Sequence, residues 1–229
     1  MLDSLQNYLD IQCPSQSDTL SAQLAKEEFR EAARVLHEAF HKRYFLPALG
    51  GDETLVEPFL LAHVRATIIG GQLFIAELPD TGIVGVALWF RPGEKFLSSD
   101  EQRNAGWNET MELLGDVHRK WWDNFLSLCN TVPDELYGPS KKLASYHLQT
   151  FGVLPAYQKK GYGMALMAAV EEKAKLTSAD VVLKTMGESA VPIYEKFGFE
   201  VLGPIVVKTP HGEGNAYCFR KHTGLSASD

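Results

Sequence analysis

Cysteine is scarce in these 229 residues: Cys13, Cys129 and Cys218, an odd number with no C-x-x-C pair. A disulfide framework and a zinc knuckle are thereby disfavoured, and free thiols in a reducing compartment are expected. No apolar run nears the roughly 18 residues that a membrane span needs. The opening MLDSLQNYLD has no basic stretch leading into an apolar one, so no secretory signal is expected. A basic excess is missing as well. Lys and Arg number 22 against 29 Asp and Glu, for a formal net charge of −7, which argues against a general nucleic-acid binder. There is no internal repeat and no low-complexity tract. These absences lead us to expect a cytoplasmic protein with neither nucleic-acid nor membrane partners.

What is present is ordinary globular material. The hydrophobic fraction is 45% and the charged fraction 22%, which excludes wholesale disorder. A compact domain of this length hides roughly 70% of its unfolded surface and needs no staples. Residues 1–18, with Pro14 and several Ser and Gln, read as a poorly structured lead-in. Residues 19–222 read as one domain, and 223–229 as a flexible tail. Residues 19–25 (TLSAQLA) fit either a short strand or the start of a helix. Phe29, Ala33, Leu36 and Phe40 recur at threes and fours and predict a helix over 26–40. Phe59, Leu60, Val64 and Ile68 predict another over 53–69, stopped by Gly70-Gly71. The runs QLFIAEL (72–78) and IVGVALWF (83–90), separated by Pro79-Asp80-Thr81-Gly82, predict a hairpin.

Residues 94–140 hold three of the four tryptophans, at Trp107, Trp121 and Trp122, on what reads as one or two amphipathic helices interrupted at Gly115. Pro133, Gly138 and Pro139 mark a loop after them. A helical layer over the sheet is the preferred reading of this segment, and the wall of a substrate pocket is the sharper one. From residue 145 onward strands and helices alternate: strand 145–153, helix 161–176, strand 179–185, short helix 190–197, and strands 199–208 and 215–220. Strand, helix, strand within about forty residues is a βαβ unit, so strands 145–153 and 179–185 are predicted to be parallel neighbours. The fold class is therefore α/β (α+β). We expect a mixed, mostly antiparallel sheet with a central parallel βαβ unit and helices on both faces.

The chemically informative stretch runs from the end of that first parallel strand into the helix. After Val153-Leu154-Pro155, a short loop leads to Gly161-Tyr162-Gly163. The first turn of a helix offers unpaired N–H groups and the positive end of the helix dipole. Glycines let a phosphate approach that backbone closely, and Lys159 and Lys160 add positive charge. Known nucleotide loops do not fit. Gly163 is followed by Met164 rather than the Lys-Ser/Thr of a P-loop, and Leu166 stands where a dinucleotide fingerprint needs its third glycine.

Val153-x-Pro155-x-x-Gln158-Lys159-Lys160-Gly161-Tyr162-Gly163 resembles the acetyl-CoA signature of the GNAT superfamily of N-acetyltransferases, a strand ending V-x-P followed by [QR]-x-x-G-x-[GA]. The segment 190–199 (AVPIYEKFGF) is similar to that superfamily's A-[IV]-x-[LI]-Y-E-K-x-G-F segment. The likeness is close over 145–220 and looser over 19–92, and 94–140 looks like a helical insertion. Where many members carry an asparagine seven residues before the motif tyrosine, this chain has Gly187.

The resemblance implies a GNAT-type acyl-CoA N-acyltransferase fold, with acetyl-CoA as acyl-donor cosubstrate and no metal. It also implies a small-molecule or peptide amine as acceptor, attacking directly in a ternary complex, in a monomer or homodimer. It implies that the pantetheine lies along Phe151, Gly152 and Val153, with a bulge that Gly152 would tolerate. The pyrophosphate would sit on Gln158, Lys159, Lys160, Gly161, Tyr162, Gly163 and Met164. The backbone N–H of Val153 or Leu154 is implied as donor to the carbonyl oxygen. Tyr194 is implied as the acid for the departing thiolate, against a packing role. His147 is implied as a base, since arylalkylamine-type relatives place a histidine at the matching point and a second one where Gln149 stands. Glu188 competes for that role. The other reading of the same features is a GNAT-fold module that binds acyl-CoA without turnover.

Overall fold

The computed structural model describes residues 19–224. The lead-in assigned to 1–18, most of the assigned tail and Cys13 lie outside them. Thr223, just inside, donates from its hydroxyl to the Ala179 carbonyl at 2.5 Å.

Helix α1 (Thr19–Ala39) settles the choice over 19–25 in favour of helix. Its Ala32, Ala33, Val35 and Leu36 are buried. A 3-10 turn over Glu53–Leu55, capped by Asp52 accepting from the Thr54 amide at 2.9 Å, leads into α2 (Val56–Gly70). The hairpin follows as β1 (Gln72–Leu78) and β2 (Gly82–Phe90). The segment 94–140 is helical: α3 (Asp100–Gln102), a π turn over Arg103–Trp107, α4 (Asn108–Leu113) and α5 (Asp116–Tyr137). The expected break stands at Gly115, which caps α5. The expected loop at Pro133 does not exist, because α5 runs through it. A proline there has no N–H for the carbonyl four residues earlier. That carbonyl, of Cys129, accepts instead from Lys142 Nζ at 2.8 Å.

The remaining elements are β3 (Tyr146–Val153), α6 (Tyr162–Leu176), β4 (Val181–Met186), α7 (Val191–Lys196), β5 (Glu200–Thr209) and β6 (Gly212–Lys221). The six strands form one sheet in the order β1-β2-β3-β4-β6-β5. Only β3 and β4 pair in parallel, as the βαβ spacing predicts.

Two hydrophobic layers sandwich this sheet. On one face α1, α2 and the insertion pack through Leu36, Phe59, Leu60, Trp107 and Trp122. On the other, α6 packs through Leu166, Met167 and Val170 onto Ala87, Trp89, Leu183 and Phe219. Strand β2 is buried over almost its whole length because both its faces are covered. Helix α5 is tied down at three places. Trp122 Nε1 donates to the Ala48 carbonyl at 2.9 Å, Trp121 Nε1 to Lys208 at 2.6 Å, and the Tyr137 hydroxyl to Leu183 at 2.8 Å. Among the described residues Cys129 and Cys218 are free thiols, and no helix is long and apolar enough to cross a membrane.

Candidate active site

The parallel pairing is short, joining Tyr146, His147 and Leu148 to Val181, Val182 and Leu183. Beyond it β3 runs on to Val153 against β2 alone, and β4 to Met186 against β6 alone. The two strands therefore part and leave one edge of each facing a gap. A bulge helps them part, but it is not at Gly152. The register passes from Trp89↔Leu148 to Leu88↔Thr150, so the extra residue is Gln149. Gly152 is needed for a different reason: a Cβ there would stand 2.6 Å from the Cβ of Ala39 at the end of α1.

Backbone direction separates the two candidate oxyanion donors. The Leu154 N–H is already given to the Val84 carbonyl at 2.9 Å, so it is not available. Successive residues of a strand aim their N–H and C=O groups to opposite edges, which turns those of Val153 into the gap. Consistently, the Val153 carbonyl accepts from Gln158 Nε2 at 3.1 Å. The side chain of Gln158 thus braces the loop against the strand end.

The loop closes into a cradle of backbone amides. Lys159 has φ 60° and Gly161 φ 97°, left-handed conformations that gather successive amides on one side. Gly161 caps α6, and the Ala165 amide closes the first turn onto the Gly161 carbonyl at 3.0 Å. The amides of Tyr162, Gly163 and Met164 precede that bond and have no acceptor within the helix. A Cβ on Gly163 would lie 3.1 Å from the Phe151 ring, so glycine also keeps the cradle open. Lys159, Gly161, Gly163 and Met164 line the cavity described below; Lys160 and Tyr162 are not part of its lining. Lys160 Nζ sits 5.1 Å over the Tyr157 ring, which also packs against Tyr162.

From the other side of the gap, α7 presents Tyr194. Its ring packs on Phe219 with centroids 5.1 Å apart, and it lines the cavity. Burial, with Tyr44 nearby, raises its phenol above the ordinary tyrosine range, so it stays protonated and able to donate. His147 lies on β3 opposite Phe90, 9% exposed. Burial holds its imidazole well below the usual histidine range, and the ammoniums of Lys142 and Lys184 push the same way. It is therefore neutral at pH 7. Glu188 is exposed and is not part of the cavity lining. Gly187 is exposed with φ 78° and supplies no side-chain contact.

Cradle, gap, Tyr194 and His147 all open into one cavity of about 1230 Å³. This lies just above the roughly 300–1,000 Å³ of an ordinary small-molecule pocket. Its far wall comes from elements distant in sequence: Phe45, Phe59, Trp121, Trp122 and Phe125. Trp121 stacks on Phe125 at 5.0 Å, and Trp122 tilts against Phe59 at 5.1 Å. The insertion is thus both a cover for the sheet and a wall of the cavity. Tyr44, His63, Lys142 and Lys184 also line it, and no motif marks any of them. His63 is committed to structure. Its Nδ1–H donates to the Phe59 carbonyl at 2.8 Å, its ring stacks on Phe96, and burial lowers it to about 4.

Residues 131–209 match the acetyltransferase (GNAT) domain family. No curated protein sequence matches the chain. Among solved structures it is similar to a histone acetyltransferase HPA2 and related acetyltransferase of Corynebacterium glutamicum, with 17% identity over 96% of this chain and 99% of that one and a TM-score of 0.60. It is similar to the polyamine N-acetyltransferase of Drosophila melanogaster, which catalyses the formation of N-acetylagmatine, at 16% identity over 93% and 100% of the chains with a TM-score of 0.55. It is also similar to the C-terminal condensation domain of Ebony in complex with beta-alanyl-dopamine, at 14% identity over 93% and 99% with a TM-score of 0.59. At such identities the shared feature is the fold.

Proposed function

We propose that this chain, whose residues 131–209 match a GNAT acetyltransferase domain, transfers an acetyl group from acetyl-CoA to a primary amine by direct attack in a ternary complex. The observation that carries this reading is the parting of β3 and β4. It leaves the open edge of β3 beside a glycine-capped helix N-terminus, at the mouth of a cavity with room for a second ligand.

Acetyl-CoA supplies an acyl thioester, and this chain's residues supply the rest. The free amides of α6 and the left-handed turn at Lys159 and Gly161 suit a pyrophosphate. The gap-facing groups of Phe151 suit an extended amide arm, and the Val153 N–H is the donor for a carbonyl oxygen gaining charge. Tyr194, held protonated, donates toward the departing sulfur.

The amine must lose its proton before it attacks, since a lysine-like ammonium titrates near 10.4. The cavity itself promotes this. The surroundings that lower Lys142 to about 7, through burial and then Lys184, disfavour any further ammonium placed beside it. His147, already neutral, relays the proton outward, directly or through water.

The test is calorimetric titration with acetyl-CoA followed by a thiol-release screen over amino acids, arylalkylamines, polyamines and peptides. Saturable binding with amine-dependent release is expected. Binding without release from any amine would make the protein an acyl-CoA-binding module instead.

A further inference from the structure

An acidic chain here keeps a cationic cavity. Among the described residues its lining carries one carboxylate, Glu94, against five lysines and one arginine: Lys95, Arg103, Lys142, Lys159, Lys184 and Lys196. Glu94 is already engaged by the Arg91 guanidinium and amide. Lys159 sits at the cradle and Lys196 on α7. The other end holds Lys142 and Lys184, and neither forms an ion pair with a carboxylate among the described residues.

Both are held in place by the fold. Lys142 Nζ is anchored to the Cys129 carbonyl that Pro133 leaves without a helical partner. Lys184 Nζ lies 5.8 Å from the centre of the Phe125 ring, which stacks on Trp121. Two ammoniums side by side, partly buried and without a counter-charge, are unfavourable in a free protein. The same pair becomes favourable when an anion lies between them. Burial and the second ammonium lower Lys142 toward neutrality, so an arriving anion would also draw a proton back onto it.

We propose that the acceptor is an aromatic amino acid, its carboxylate held by Lys142 and Lys184 and its ring lying along Trp121 and Phe125. The proximity of the Lys184 charge to the Phe125 face suits a ligand whose carboxylate and ring are close together. The same cations repel polyamines, whose extra ammoniums would find no carboxylate among the described lining residues except Glu94. This proposal rests on the acetyltransferase reading and names the substrate class of that site.

The experiment compares kcat/KM for thiol release from acetyl-CoA with matched acceptors, tryptophan against tryptamine and phenylalanine against phenethylamine. Wild type, Lys184→Gln, Lys184→Arg and Lys142→Gln are measured, with melting curves to show that each is folded. Wild type is expected to favour the carboxylated member by about tenfold or more, the scale of one charged hydrogen bond. Lys184→Gln should bring the ratio close to one, and Lys184→Arg should retain most of it. A wild type that uses the carboxyl-free amines as well or better overturns the proposal. So does a ratio that survives in folded Lys184→Gln and Lys142→Gln alike. Release with spermidine or tryptamine alone sinks the amino acid while leaving the acetyltransferase standing. Release with no amine of any class overturns the acetyltransferase reading itself.

Discussion

At the cradle end of the cavity, the groups proposed to hold a pyrophosphate all come from one stretch, Gln158 to Met164, and most of them are backbone. At the other end, Phe59 comes from α2, Trp121, Trp122 and Phe125 from α5, Lys142 from the segment before β3, and Lys184 from β4. The difference is one of material. A site made of amides needs particular φ/ψ values and missing Cβ atoms, so it leaves glycines at fixed spacing. A site made of side chains needs only that the fold bring them together, and it leaves no local pattern.

The largest expected effect would break the cradle end alone. Gly161→Val forces a β-branched residue to φ 97°, a conformation essentially closed to it. Calorimetry should find acetyl-CoA affinity reduced at least about a hundredfold, while the circular dichroism spectrum stays native. Unchanged affinity would remove the cradle from this loop.

Tyr194→Phe comes next and touches the junction of the two ends. We expect kcat to fall by roughly a hundredfold, in the range for a lost general acid, while the acetyl-CoA Kd changes little. A kcat equal to wild type would leave Tyr194 as packing against Phe219.

At the acceptor end, Trp122→Ala removes a side chain that is 6% exposed and bonded to Ala48. Denaturant unfolding should show a loss of about 3 kcal/mol or more. The acceptor KM should rise in the same variant with little change in acetyl-CoA Kd. A variant of wild-type stability would show that this wall is not part of the core.

The last variant sharpens the electrostatic contrast. Burial lowers Lys142 to about 7 from an ordinary value of 10.5. Between those values the unfolded chain binds a proton that the folded one does not, so wild-type stability rises with pH across that window. Lys142→Met lacks this slope. Its stability advantage over wild type should therefore be greatest below pH 7 and shrink toward pH 10, read as the difference between the two melting temperatures. A difference independent of pH would mean that Lys142 titrates as an ordinary surface lysine.

The hairpin, the βαβ unit and the helix after Gly161 were legible because each rests on a local period or a turn signal, and tertiary packing agrees with all three. One element was left open and one was misjudged where packing outweighs local preference. Residues 19–25 join a helix whose later turns are held by the core at Ala32 and Leu36. Pro133 does not stop α5, because Lys142 satisfies the carbonyl it strands and Tyr137 anchors the far end to Leu183. The bulge was expected near Gly152 and lies at Gln149, since register is set between strands and a glycine marks only where one is tolerated. Leu154 looked as suitable an oxyanion donor as Val153 until β2 claimed its N–H.

By itself the sequence determined the elements from residue 145 onward, their order, and the glycine pair that opens α6. Dihedral freedom and hydrophobic period are properties of neighbouring residues and can be read along a chain. Only the tertiary structure decided that the cavity of a net-acidic protein would be lined by cations, with Lys142 and Lys184 set beside an aromatic wall. Net charge is a sum over the whole chain, whereas the charge of a cavity depends on which few residues the fold turns inward.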